Sequence, residues 1–172
     1  MIRFNLLAFI AGFLIFFEPK ALAENSVAFE GVGTPGFLTI EGKGAKVKPT
    51  IKTEKDGKVS GIFEVDLKAL DTGIALRNDH MRDKYLEVGK FPTAKLVLSP
   101  IAMPKQGIFN WSGMLTLHGV TRKVEGVATI EGKQVEAKFS IETPDYSIKK
   151  AMHMGVGLDD KINLVVRFDY PS

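Results

Sequence analysis

From Val27 onward the chain alternates apolar and polar residues in short runs, and this period of two constrains the fold more than any other feature. Between Lys58 and Ala69, Val59, Gly61, Phe63, Val65, Leu67 and Ala69 fall on one face, opposite Lys58, Ser60, Glu64, Asp66 and Lys68. Successive side chains of a strand point to opposite sides, so the pattern predicts a strand with one face in a core and one in water. Phe109, Trp111, Gly113, Leu115 and Leu117 repeat it against Asn110, Ser112, Thr116 and His118. Val135, Ala137, Phe139 and Ile141 do so against Glu136, Lys138, Ser140 and Glu142.

Turn signals separate the runs. Asp56-Gly57 is a strong hairpin signal, because both central residues of a tight primed turn need positive φ. Glu131-Gly132-Lys133 and Pro104 to Gly107 are further hairpin loops, and "GVGTPG", Gly31 to Gly36, kinks the first strand or splits it in two. Strands joined this way form an antiparallel meander. The expected fold is all-β, an antiparallel up-and-down barrel, since closure removes exposed strand edges.

One connection breaks the rule. From Ile74 to Glu87 the alternation stops, and Ile74, Met81 and Tyr85 share a helical stripe from which Leu76 and Leu86 fall away. Asp71 or Thr72 is placed to cap this helix. The segment ends near Gly89, and Phe91-Pro92 returns the chain to strand at Thr93. A single helix in a long connection is expected across one end of the barrel.

The N terminus reads as a leader. Arg3 precedes an apolar run from Phe4 to Phe17, and Ala21 and Ala23 form an A-x-A site, so residues 1–23 are expected to be a removed secretory signal peptide. The run is shorter than the roughly 20 residues a spanning helix needs, which argues against stable membrane insertion. Residues 24–172 suit one domain, placed in the periplasm or secreted. The chain has no cysteine, so its core must hold it without disulfides. Loss of Arg3, Lys20 and Glu18 with the leader changes the net charge from +3 to +2. The lysines are scattered along strands, not interleaved with aromatics in a block, so nucleic acid is not an expected partner.

The sequence offers little reactive chemistry. His80, His118 and His153 share no metal-ligand spacing, and Met152-His153-Met154 without cysteine reads as a loop packing its methionines. No cofactor fingerprint is present, and no serine lies in a G-x-S-x-G elbow. The crowded span holding Arg77, Asp79, His80, Arg82 and Asp83 supports two readings, a general base at His80 or a solvated helix laced by i,i+3 and i,i+4 pairs; the second is preferred. What remains is the barrel interior. An eight-stranded barrel holds packed side chains or one small ligand, and Gly61, Gly113 and Ala137 opposite large residues leave both outcomes open.

At Asp71-Thr72-Gly73, Arg77, Asp79, His80 and Met81, Phe91-Pro92, and Gly113 to Thr121 with His118-Gly119, the chain resembles the YceI-like family of exported proteins. The resemblance implies a lipocalin-like barrel, partly covered by a helix, that holds a polyisoprenoid or similar long amphiphile in an apolar tunnel. It implies no shared catalytic residue and no cofactor. The expected function is an exported lipid-binding protein, not an enzyme, with Phe63, Leu67, Leu96, Leu98, Phe109, Trp111, Leu115, Phe139 and Phe168 as walls. Arg77 or His80 could meet a polar head group, and self-association as a homodimer is compatible with the sequence. The competing readings are a closed-core stress-response or interaction protein without ligand, and a hydrolase built on His80.

Overall fold

Each alternating run becomes a strand that pairs with its neighbour in sequence. The computed structural model describes residues 25–34, 38–153 and 156–170. The leader expected over residues 1–23 and Met154 lie outside them. The strands are β1 (Ser26–Thr34), β2 (Leu38–Thr53), β3 (Val59–Asp66), β4 (Thr93–Ile101), β5 (Gly107–Leu117), β6 (Val120–Glu131), β7 (Gln134–Glu142), β8 (Met152–His153) and β9 (Val156–Asp169). All pairings are antiparallel, and β1 pairs with β9 as well as with β2. An eight-stranded up-and-down barrel thus closes on itself, with the two-residue β8 folded back on β9 at one rim.

The expected inner faces are inner faces. Val59, Phe63, Trp111, Leu115, Leu117, Val135, Phe139 and Ile141 are buried, whereas Ile62, Val97 and Met114 point outward. Gly31 to Thr34 of "GVGTPG" continue β1, with a register shift against β9 between Gly31 and Gly33, and Pro35 and Gly36 lie outside the described residues. The run from Lys58 stops short of expectation, however. Asp66 ends β3 by accepting from the Lys68 N–H at 2.9 Å, which turns Leu67–Ala69 into a 3₁₀ turn and leaves Ala69 exposed.

The β3–β4 connection contains α1 (Ala75–His80), followed by a wider π turn over Met81–Tyr85. The Leu86 N–H donates to the Met81 carbonyl at 2.8 Å, five residues back. This extra residue brings Leu86 round to the cavity side, off the line that a regular helix would give it. The expected cap is not made. Ile74 occupies the N-cap without a side-chain bond, because the side chains of Asp71 and Thr72 are engaged with Gly73 and Asn78 instead.

The hairpins β2–β3, β4–β5 and β6–β7 all turn at one end of the barrel, which Val59 and Ile130 pack. The helical connection and the β7–β8 connection lie at the other end, so both long excursions gather over one mouth.

Candidate ligand cavity

From that mouth an apolar cavity of about 730 Å³ runs into the barrel. The nine expected wall residues, Phe63, Leu67, Leu96, Leu98, Phe109, Trp111, Leu115, Phe139 and Phe168, all line it. The two outcomes the sequence left open coexist, because aromatic rings interlock on the wall while the centre stays hollow. Phe63 and Phe168 meet with centroids 4.9 Å apart, and Trp111 and Phe139 pack edge to face at 5.2 Å. The second pair depends on Gly126, which lies between Trp111 and Phe139 in the ladder. A Cβ there would come within 2.8 Å of the indole and 2.4 Å of the Lys138 carbonyl, so any larger residue would force the rings apart. Gly61 and Gly113, which the sequence offered for this role, are instead covered by Phe63 and Leu96.

Polar groups gather at the mouth. Thr72, Arg77, His80, Tyr85, Thr143, Lys149 and Asp159 all line the cavity there. The crowded span is neither an ion-pair ladder nor a fully solvated helix. The side chains of Arg77 and Arg82 reach backbone instead, donating to the Thr72 carbonyl at 2.6 Å and the Leu70 carbonyl at 2.9 Å. Asp79 is exposed. Asn78, which the sequence did not single out, is the hub of this segment. Its Oδ1 accepts from the Thr72 N–H and hydroxyl at 2.8 and 2.7 Å, and its Nδ2 donates to Asp71 at 2.7 Å. The Asn78 amide and the Gly73 N–H hold the Asp71 carboxyl below its usual range. Asp71 also exchanges backbone hydrogen bonds with Lys43 on β2, so Asp71-Thr72-Gly73 fastens the helix to the barrel rim.

His118 is a second fastening, not the outward residue that the alternation predicts. His118 and Gly119, with φ of 50° and 75°, form the two-residue turn between β5 and β6. This geometry tips the imidazole inward to 9% side-chain exposure. Its Nδ1 lies 3.0 Å from the Tyr146 carbonyl and its Nε2 2.9 Å from Glu87, while Phe91 packs on the ring at a centroid distance of 4.5 Å. One side chain therefore ties the hairpin to both long connections. Lys90 first, then His118, hold the Glu87 carboxyl below its usual range. Gly119 is required twice over, by its positive φ and because a Cβ would sit 2.8 Å from the Phe91 ring.

Among the described residues, no three His, Cys, Asp or Glu side chains converge as metal ligands, and no helix is long and apolar enough to cross a membrane. Met152 is 56% exposed at the rim, contrary to the expectation of a packed methionine loop, because β8 lies on the edge of β9 outside the closed ring.

The barrel, the helix-covered mouth and the two fastenings coincide with a match of residues 21–170 to the model of the YceI-like domain. The chain belongs to the YceI-like family. Among curated proteins it is similar to a UPF0312 protein of Shewanella denitrificans, 37% identical over 70 residues that make up 40% of this chain and 36% of that one. A UPF0312 protein of Pseudomonas savastanoi is 36% identical over 74 residues, 41% and 38% of the two chains, so little more than a third of each relative is matched. Two solved folds superpose with a TM-score of 0.62. They are BcnA of Burkholderia cenocepacia, 18% identical and covering 82% of this chain and 94% of that one, and a polyisoprenoid-binding domain of Saccharophagus degradans, 16% identical and covering 85% and 94%. A YCEI protein of Campylobacter jejuni matches over the full length of both chains at 17% identity and a TM-score of 0.58. At these identities the likeness speaks for the YceI fold.

Proposed function

We propose that this YceI-like protein is an exported carrier that holds the tail of a polyisoprenoid or similar long amphiphile inside its barrel. The observation that carries the reading is the apolar cavity of about 730 Å³ opening at one end. Hydrophobic burial is worth about 0.8 kcal/mol per methylene, so a long tail needs few polar anchors. The polyisoprenoid-binding domain of Saccharophagus degradans, built on the same fold, supports the ligand class.

At about 730 Å³ the cavity lies within the roughly 300–1,000 Å³ of pockets that bury most of a ligand. The nine wall residues are the tail contacts in this reading, and a tail longer than the cavity leaves its excess at the mouth beside Arg77 and His80. No reaction is assigned to His80. The mature protein is residues 24–172, released by removal of the leader in residues 1–23.

Native mass spectrometry of the protein purified from the exported compartment, followed by solvent extraction, tests this reading. A stoichiometric lipid is expected, with prenyl or acyl chains taken up by stripped protein. A clean apo mass, unchanged after incubation with prenyl and fatty lipids, would overturn the carrier reading.

A further inference from the structure

Exposed apolar side chains gather at the rim of the cavity, as they do along Ile62, Val97 and Met114 on the outer wall. Leu38, Ile74, Leu76 and Met152 are large apolar side chains left exposed, and all four border the mouth. They come from three separate places, the start of β2, the entry to α1, and β8. The ladder places Leu38 beside Gly33 and Met152 beside Gly157, on neighbouring strands of one rim. Tyr85 joins the helical side to β8, its hydroxyl lying 3.4 Å from the Met152 carbonyl and 3.3 Å from the Met152 nitrogen. Isolated exposed apolar residues need no explanation, but a ring of them around an apolar cavity marks a contact surface.

The rim carries charge of both signs, and its two lysines sit together on the β7–β8 connection, next to Met152. Lys149 lines the mouth, and exposed Lys150 folds over Gly157 beside the Met152 sulfur. With Arg77 they oppose Asp159 among the lining groups, and Asp79 and Asp83 are exposed on the helical segment. Apolar side chains flanked by lysines are what a surface needs to sink into an interface and meet anionic head groups.

We infer that the mouth docks on a lipid bilayer, with Ile74, Leu76, Leu38 and Met152 entering the interface and Lys149 and Lys150 meeting anionic head groups. The inference rests on the carrier reading and adds a route. A tail that passes from bilayer to cavity beneath this rim never crosses water, which would otherwise oppose transfer by about 0.8 kcal/mol per methylene. The described chain enters the barrel at the far end, where Asn25 accepts from the Asp169 N–H at 3.1 Å.

The test uses the full chain as purified and two variants with the same N terminus, so that any contribution of the leader cancels. Sedimentation with sucrose-loaded vesicles of phosphatidylcholine, with and without phosphatidylglycerol, reports docking. Uptake of cis-parinaric acid, delivered from solution or from those vesicles, reports loading. The Ile74→Ser/Leu76→Ser pair removes two side chains each worth roughly tenfold at an interface, so vesicle binding and extraction should fall about a hundredfold. Uptake from solution should fall by no more than a few-fold, since the deep walls are untouched. Lys150→Ser should cost about fivefold on anionic vesicles only, with solution uptake unchanged.

Vesicle binding and extraction that match the parent in both variants would overturn the inference. So would a parent dimer that the paired variant dissociates while neither form binds vesicles, because the rim would then face a second copy. Failure of the carrier reading looks different, since the parent would sediment with vesicles yet take up no cis-parinaric acid from either source.

Discussion

Replacing His118 with alanine should loosen the mouth without touching the cavity. The imidazole fills the space between the Tyr146 carbonyl, Glu87 and the Phe91 ring. Tyr146 is only 2% exposed, so its carbonyl has little access to water once the histidine is gone. An unsatisfied buried acceptor costs about 1–3 kcal/mol, and the lost aromatic contact adds about 0.5–1.5 kcal/mol. The expected loss is therefore about 2–4 kcal/mol, with Glu87 at the wet rim left out. Equilibrium unfolding in urea measures it, and a midpoint that falls at constant slope identifies a loss of stability. His118→Phe keeps a ring against Phe91 but deletes both polar contacts, so it should retain the packing share and lose only the hydrogen-bond share. A loss below about 1 kcal/mol in both variants would refute the fastening argument, given that a single buried bond is worth about that much.

Gly119→Ala should destabilise by about 2 kcal/mol, from left-handed backbone strain and displacement of Phe91, and urea unfolding again reports it. Asn78→Ala strands the buried Thr72 amide and hydroxyl, so hydrogen exchange should speed up across residues 72–86 while the β5–β6 ladder keeps its protection. Burial pushes the Glu136 carboxyl up, but Lys138 and Arg167 outweigh it and hold the group below its usual range. A carboxyl lowered in the folded state stabilises above its unfolded value, about 4.3, and that contribution drains away as pH falls through the folded value. Urea midpoints of Glu136→Gln and the parent should therefore differ at neutral pH and converge in acid; a constant gap would contradict the pairing.

The barrel was legible because strand burial is a local rule. Phe63, Trp111 and Phe139 each sit in a run whose period of two admits one inward face. Asp56-Gly57 does mark the β2–β3 hairpin, but not as a two-residue primed turn: the loop spans residues 54–58, only Gly57 has positive φ, and the Asp56 carboxylate accepts from the Lys58 N–H at 3.1 Å. Helical periodicity was less dependable, since one π turn at Met81 to Tyr85 shifts every later residue and brings Leu86 to the cavity. The family signature was also visible as letters, but not as parts of a mechanism. Asp71 and Thr72 read as a cap until Asn78, seven and six residues away, takes their polar groups.

What the sequence determined by itself was the set of residues that must turn inward, and hence a closed antiparallel barrel with one helical excursion. Only the tertiary structure decided that the interior is hollow, because the difference between a filled and an open barrel lies in how Phe63 meets Phe168 and how Trp111 meets Phe139 across Gly126. It likewise decided that His118 is a fastening. Alternation placed the side chain in water, but positive φ at a two-residue turn swung it onto Glu87 and Tyr146, which are 31 and 28 residues away in the chain. Contacts of that separation leave no local pattern, because they depend on which ends of the barrel the connections cross.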